Sequence, residues 1–223
     1  MKMLFPDGSQ RSPTAVPGKS DVRDENVYSA AVISNTASGN TTVFVNPRGQ
    51  SIPLLGSGSA QAHQKTYTEA TTNISQSGQL GSALGEASLR AIGMTIEQAY
   101  ISKSGAVNTV YGATMADVNE ILFKTFFQLR IGGKLQIQGA SWMFPALGAP
   151  QGSLASTANA FAGGIVNNGF PGSGRRLKVP VLVARTDTVE GTYGVIGGAT
   201  TTQEGGPALV WFQTLALVKG DAR

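Results

Sequence analysis

Asp187 and Glu190 stand three residues apart in the segment RTDTVEGTYG and form the carboxylate pair best suited to acid–base chemistry. Two such groups could serve as the acid and the base or nucleophile of a glycoside hydrolase. Their place at the end of a predicted strand, next to Gly191, is more typical of a solvated turn. The segment is therefore interpreted as a turn rather than as a catalytic pair.

Other catalytic chemistry finds little support in the residue types. The chain has no cysteine and one histidine, His63, which excludes thiolate metal sites and disulfides and leaves no histidine cluster. No GxSxG motif is present. The IGGK segment at 131–134 has neither the later glycine of a dinucleotide-binding loop nor the GK[ST] of a phosphate-binding loop. We therefore expect no enzymatic activity, no cofactor and no metal.

The glycine pair Gly132-Gly133 separates two apolar ribbons and predicts a hairpin instead of a ligand loop. A two-residue turn would put the two apolar rows on opposite faces of the ribbon. A three-residue connection pairs Ile131 with Leu135 and Leu129 with Ile137. The register argument thus predicts an odd-length turn or a bulge, with five apolar side chains on one core face: Phe127, Leu129, Ile131, Leu135 and Ile137.

Short apolar runs separated by Gly, Asn and Ser clusters recur along the chain and predict an all-β fold. The run at 208–220 is apolar on both faces, which predicts a strand covered on both sides. The pattern predicts an antiparallel β-sandwich or barrel. Beyond the hairpin, the predicted strands are 27–33, 41–45, 65–72, 91–102, 177–185, 192–197 and 208–220.

One short helix is predicted near 114–123. Thr114 can cap its first turn, and Asp117 stands where an acidic side chain suits the helix dipole. Its apolar stripe comprises Met115, Val118 and Leu122.

The chain divides into an arm and one domain. Residues 1–26 are polar and proline-containing and predict an extended N-terminal arm. Residues 27–223 are predicted to form a single β-domain, interrupted by a loop at 145–176 that is rich in glycine and small residues. This loop exceeds the ~12–15 residues usual without secondary structure, which indicates a function or a contact with a neighbour.

Composition indicates surfaces that neighbours cover. Charged residues are 13% of the 223, about half the usual ~25%, and glycines number 29. The net charge of +4 is spread along the chain, unlike the basic stripe of a nucleic-acid binder. The start MKMLFPDGSQ does not resemble a signal peptide, and no run reaches the ~20 apolar residues of a membrane span. We expect a soluble protein made in a reducing cytosol.

Two groups of residues are candidates for contacts between subunits. The apolar group directly precedes the long loop and consists of Trp142, Met143, Phe144 and Pro145. The basic group follows the loop, in GSGRRLKVP, and consists of Arg175, Arg176 and Lys178. The basic group could meet phosphate, an acidic lipid surface or a neighbour's carboxylate.

The order of features resembles the jelly-roll capsid proteins of tailless icosahedral bacterial viruses. The likeness covers about residues 85–220: the strand IGMTIEQAYI, the helix MADVNEILFK, the hairpin TFFQLRIGGKLQIQG, then WMFPALGAP, RRLKVPVLV and the final two-sided strand. It implies that residues 27–223 are a single jelly-roll domain, an antiparallel β-sandwich of about eight strands. It also implies a capsid subunit that self-assembles, as trimers or higher assemblies, through loop and arm contacts. The implied location is the virion, after synthesis in the host bacterial cytoplasm.

The resemblance also implies partners beyond copies of the chain: other virion proteins, an internal membrane or the genome. Shell proteins that package nucleic acid directly often carry a polybasic arm. Residues 1–26 balance their basic residues against Asp7, Asp21, Asp24 and Glu25, which disfavours direct nucleic-acid binding.

A carbohydrate-binding β-sandwich module is the alternative. Four aromatic side chains could stack on sugar rings: Tyr100, Tyr111, Trp142 and Trp211.

Overall fold

The computed structural model of the chain consists mostly of β-strands, with one α-helix among the residues it describes. These residues are 3–4, 10–11, 22–56, 66–74, 86–97, 100–104, 107–147, 174–198, 201–202 and 207–219. The strands in chain order are β1 (Met3–Leu4), β2 (Gln10–Arg11), β3 (Val22–Ile33), β4 (Thr36–Ala37), β5 (Asn40–Val43), β6 (Leu54–Leu55), β7 (Glu86–Ile96), β8 (Tyr100–Ser104), β9 (Val107–Tyr111), β10 (Thr125–Ile131), β11 (Lys134–Ala140), β12 (Arg175–Val183), β13 (Val189–Val195), β14 (Thr201–Thr202) and β15 (Ala208–Lys219). The helix, α1, is Met115–Lys124.

Two sheets make up the body of the fold. The five-stranded sheet has the order β12-β7-β15-β3-β6, and the four-stranded sheet has the order β11-β10-β13-β5. Every pairing in them is antiparallel except the short pairing of β3 with β6. The predicted all-β sandwich with a single short helix is therefore confirmed at this level.

Aromatic rings join the inner faces of the two sheets. Phe127 of the four-stranded sheet stacks on Phe212 of the five-stranded sheet, with ring centroids 4.8 Å apart. Tyr193 meets Phe212 edge to face at 4.9 Å. All three side chains are fully buried, and each buried aromatic contributes a large apolar area. The Tyr193 hydroxyl lies near Thr125 but has no well-formed hydrogen bond, and burial raises its pKa well above the usual range.

The last strand, β15, is covered on both sides, as its sequence predicted. Val210 and Phe212 point into the main core between the sheets. Leu209 packs on the opposite, outer face in a second small cluster, with Trp211 partly buried against it. A central strand buried on both faces tolerates an unbroken apolar run.

The segment after β5 covers the outer edge of β3. Tyr28 donates its backbone N–H to the Asn73 side-chain oxygen at 3.0 Å. Tyr67, 2% exposed, donates its hydroxyl to the Ala30 carbonyl and lies 3.1 Å from the Ser29 hydroxyl. Burial raises the pKa of the Tyr67 phenol to about 12, and the Ser29 contact opposes this shift more weakly. Of the residues 65–72 predicted as a strand, the described ones, 66–72, thus form a cover with one isolated bridge.

The helix follows the sequence prediction closely. Thr114 accepts a hydrogen bond from the backbone N–H of Asp117, and the Asp117 carboxylate accepts one from the backbone N–H of Thr114. This reciprocal capping box satisfies two backbone donors at the start of the helix. Val118 and Ile121 are buried in the core, and Leu122 packs against it.

The hairpin differs from its predicted register at the turn. Gly132 and Gly133 have φ of 55° and 74° and form a two-residue connection, so Ile131 pairs with Lys134. A bulge then restores the predicted pairing of Leu129 with Ile137. The predicted bulge is confirmed, but the three-residue connection is wrong. Leu135, assigned to the core, is 42% exposed.

Two predicted segment boundaries also move. Strand β3 begins at Val22, so residues 22–26 of the predicted arm lie in the five-stranded sheet, paired with β15. Strand β12 begins at Arg175, so the predicted loop 145–176 ends inside a strand. In both places a neighbouring strand supplies backbone partners, which local sequence does not reveal.

Candidate functional site

The chain after β11 forms a 3₁₀ turn, Ser141–Met143, in which one buried side chain is followed by two exposed ones. Ser141 is fully buried, whereas Trp142 is 55% exposed and Met143 37% exposed. The predicted apolar group thus presents a tryptophan and a methionine at the surface. Both residue types are enriched at the centres of protein interfaces.

A hydrogen-bond chain anchors this turn to the end of α1. Thr125 donates its hydroxyl to the Ile121 carbonyl, and its oxygen lies 2.6 Å from the Ser141 hydroxyl oxygen. Because Thr125 has given its proton to Ile121, Ser141 is the donor in the second bond. The exposed pair therefore stands on a rigid base.

Phe144 belongs to the core, which corrects its assignment to a contact surface. It is 1% exposed and meets Phe127 edge to face at 5.5 Å between ring centroids. Its carbonyl accepts a hydrogen bond from the backbone N–H of Met94 at 3.2 Å. Phe144 supports the surface from beneath and is not part of it.

Arg175 reaches the same place from β12. Its guanidinium carbon lies 5.4 Å from the centroid of the Phe144 ring, a cation–π contact. Its Nη1 atom is buried and has no hydrogen-bond partner among the described residues. A buried guanidinium nitrogen without an acceptor is costly, and here the cation–π contact with Phe144 is the interaction shown for the group.

Gly139 makes this approach possible. A Cβ atom built on Gly139 would stand 2.9 Å from Met143 Sδ and 3.6 Å from Arg175 Nη1. The missing side chain leaves room for both groups at the edge between the two sheets. We call Trp142, Met143 and Arg175 together the Trp142 surface.

The other predicted contact residues do not join the Trp142 surface. Arg176 pairs with Ala91 and projects to the outer face of the five-stranded sheet, opposite to Arg175. Lys178 is exposed in the irregular part of β12. Pro145 is half-buried, and its carbonyl oxygen lies 2.5 Å from where a Cβ of Gly93 would stand. The basic group is thus split by strand alternation, and Pro145 covers a sheet instead of exposing a surface.

The two ends of the long loop meet. A Cβ atom on Gly174 would lie 2.1 Å from the Leu147 Cδ2 atom, so the chain leaves and re-enters the fold at one point. Residues 148–173, most of the predicted loop, lie outside the described residues.

The catalytic candidates are placed as turn and surface residues. The Asp187 carboxylate accepts the Ala184 N–H at 2.8 Å, while the Asp187 N–H donates to the Ala184 carbonyl at 3.1 Å. As the sequence predicted, this segment is a turn. Glu190 is exposed on β13, directly across from Arg130. His63 lies outside the described residues.

The two tryptophans of the carbohydrate hypothesis, Trp142 and Trp211, differ in how far they are exposed. Trp211 packs against the second cluster, and its indole N–H donates to the Ala70 carbonyl at 3.3 Å, which reduces its value as a stacking platform. Tyr100 and Tyr111 pair across the β8–β9 hairpin, and their side chains are outside the description. Of the four, Trp142 alone is shown to be mostly exposed.

A groove that the sequence prediction missed lies on the outer face of the four-stranded sheet. It is lined by Phe126, Gln128, Gln138, Gly139, Ile196 and Gly197. The predicted pairing of Leu129 with Ile137 already places Gln128 opposite Gln138 on the outward face. The predicted register of the hairpin was therefore the sequence signal that could have revealed the two glutamines of this groove.

Among the described residues, no group of three or more His, Cys, Asp or Glu could hold a metal ion. Within the same residues, no helix has the length and apolar character needed to cross a membrane. No protein-family model, no curated protein and no solved structure matches this chain.

Proposed function

We propose that this protein is a structural virion protein, a jelly-roll capsid subunit that assembles with copies of itself into an icosahedral shell. The pairing of its eight main strands carries the proposal. These strands are, in chain order, β3, β5, β7, β10, β11, β12, β13 and β15.

The pairing follows one rule from the ends of the chain inward. The first main strand pairs with the eighth and the second with the seventh, as β3 with β15 and β5 with β13. The third then pairs with the sixth and the fourth with the fifth, as β7 with β12 and β10 with β11. A ribbon paired in this way and wound into two sheets is the arrangement of a jelly roll, which supports the finer fold assignment.

The Trp142 surface supports an assembly role. It combines an exposed tryptophan and methionine with the partly buried Arg175, whose Nη1 atom has no acceptor among the described residues. Tryptophan and arginine are the residue types that most often dominate binding energy at interfaces. A neighbouring copy that packs on this surface would bury Trp142 and Met143 in one contact.

The low charge agrees with a surface covered by neighbours. Only 13% of residues are charged, fewer than an isolated soluble domain usually carries. The first partners are therefore further copies, followed by other virion proteins. The exposed Arg176 and Lys178 are available to an acidic neighbour or an internal membrane, whereas the dispersed charge disfavours direct genome binding.

Assembly can be measured directly. Sedimentation velocity and electron microscopy of the purified chain should detect trimers or closed shells at high protein concentration. Trp142→Ala should raise the dissociation constant of the assembly about tenfold or more, as expected for an interface hot spot. Arg175→Lys, which keeps the charge but removes the planar fork, should weaken assembly by a smaller factor.

Leu135→Ala is the matched control for Trp142→Ala. Like Trp142, Leu135 is an exposed apolar residue, but it lies at the tip of the β10–β11 hairpin. It should assemble like the unmodified chain. A chain that remains a monomer under all assembly conditions would contradict the proposal, as would equal losses in Trp142→Ala and Leu135→Ala.

A further inference from the structure

The groove on the outer face of the four-stranded sheet has the chemistry of a binding site. Its volume is about 430 Å³, within the range of small-molecule pockets. Gln128 and Gln138 are cross-strand partners on its floor. The 3₁₀ turn Ile196–Gly198 that follows β13 supplies one wall.

Small neighbours leave the Phe126 ring without a large cross-strand partner. Phe126 pairs with Ala140 on one side and with Gly194 on the other. A Cβ on Gly194 would lie 1.9 Å from the Asn40 side-chain oxygen, so an amide group folds over that glycine instead. The ring of Phe126 is half-buried and borders the groove.

Among the described residues that line the groove, none has an ionisable side chain. Each glutamine amide offers two N–H donors and a carbonyl acceptor, and the pair stands at the spacing of directly opposed residues, about 5 Å between Cβ atoms. Phe126 and Ile196 add apolar surface beside them. A matching ligand carries neighbouring hydroxyls on one edge, an apolar C–H face and no charge.

We propose that this groove binds a neutral sugar ring, with Gln128 and Gln138 on its hydroxyls and Phe126 against its C–H face. The site is distinct from the Trp142 surface and goes beyond the assembly role. A charged ligand such as phosphate or a sialylated sugar is disfavoured because no cation lines the groove. An apolar peptide would leave the two amides without partners, which is costly on burial.

Saturation-transfer NMR on the full chain provides the test. The probes are methyl glycosides of glucose, galactose, mannose and N-acetylglucosamine, with the corresponding β1,4-linked disaccharides and glucose 6-phosphate as the charged comparison. At least one neutral sugar should receive saturation, and glucose 6-phosphate should receive less than methyl glucoside. Phe126→Ala and Gln138→Ala should each weaken binding about five- to tenfold, in line with the loss of one ring contact or one hydrogen bond.

Gln136→Ala is the matched control, since Gln136 is an exposed glutamine on the same strand that lies in the bulge and outside the groove. It should bind like the unmodified chain. Gln138→Glu tests the same position with almost no change in size and should also weaken binding, because it replaces the N–H donor by a charge. Binding to none of the neutral sugars would overturn the proposal, and so would equal weakening by Gln136→Ala and Gln138→Ala. Binding is read on monomers and assemblies alike, so failure here leaves the assembly proposal untouched.

Discussion

The outer faces of the two sheets are treated in opposite ways by the same chain. Two segments cover parts of the five-stranded sheet. Tyr67 and its neighbours pack on β3 and β15, and Pro145 lies against Gly93 of β7. The outer face of the four-stranded sheet instead holds a groove, beside which Ile196 is 41% exposed. The protein itself covers much of the outer face of the five-stranded sheet, although Arg176 on the edge strand β12 stays exposed there. On the four-stranded sheet the groove leaves part of the outer face open.

The difference shows in the chemistry of each face. The covered face uses apolar packing and hydrogen bonds such as Tyr67 to Ala30, which serve stability. The outward residues of the four-stranded sheet include Gln128, Gln138 and Thr192 and the exposed pair Arg130 and Glu190, and such surface side chains contribute little to folding. Stability and recognition are therefore expected to separate between the two sheets.

The largest loss of stability should come from removing the Tyr67 side chain, which covers the five-stranded sheet. Tyr67→Ala deletes a buried ring and leaves the Ala30 carbonyl without its donor, and should lower the free energy of unfolding by about 3–5 kcal/mol. Phe126→Ala on the open face should cost about 1 kcal/mol or less. Urea unfolding of the two variants measures the difference, and similar losses would contradict the contrast between the faces.

Alkaline pH should destabilise the fold through Tyr67 on the covered face, in addition to the buried Tyr193 of the core. An unfolded tyrosine has a pKa near 10, whereas the pKa of Tyr67 is about 12 in the fold. The stabilising contribution of the Tyr67 phenol is complete below pH 10. Between pH 10 and 12 this phenol loses its proton in the unfolded chain but keeps it in the folded one. The free energy of unfolding should then fall by up to about 1.4 kcal/mol per pH unit. Tyr67→Phe should show a shallower fall over this window in urea unfolding, and an unchanged slope would refute the assignment.

Adding a methyl group at Gly93, which lies against Pro145 and Leu147, should destabilise the fold less than removing the Tyr67 side chain. A Cβ on Gly93 would stand 2.5 Å from the Pro145 carbonyl oxygen and 2.8 Å from the Leu147 backbone nitrogen. Since backbone atoms cannot swing away, Gly93→Ala should lower the free energy of unfolding by about 1–3 kcal/mol. Thermal unfolding monitored by circular dichroism measures this shift, and an unchanged melting temperature would mean that the segment 145–147 is not held there.

The smallest effects belong to the open face. Gln128→Ala and Thr192→Ala should change the free energy of unfolding by no more than about 0.5 kcal/mol, because neither side chain is fully buried. Chemical denaturation tests both. A loss above 1 kcal/mol in either variant would mean that this face is built for stability as well.

Sequence patterns predicted most elements for identifiable reasons. The capping pair Thr114 and Asp117 marked the helix, and alternation of apolar residues marked the hairpin and β15. Leu135 was misplaced because two glycines at positive φ close a tight turn at little steric cost, and the bulge at Gln136 absorbs the mismatch.

The candidate site was harder to predict than the fold. The neighbours Arg175 and Arg176 were treated as one basic group, yet strand alternation sends them to opposite faces. Residues 65–72 were predicted as a strand because their alternation is weak but present, whereas the Tyr67 hydroxyl fixes them as a cover. Such contacts join residues far apart in the chain, and no local pattern records them.

The meeting of Leu147 with Gly174 has a consequence for how this chain can change. When the two ends of a segment are already held together, each doubling of the length between them costs only about 0.6 kcal/mol in closure entropy. Insertions there would leave both sheets and their register intact. A change of length between Leu147 and Gly174 should therefore cost little stability, and a foreign peptide could be grafted there without redesigning the sandwich.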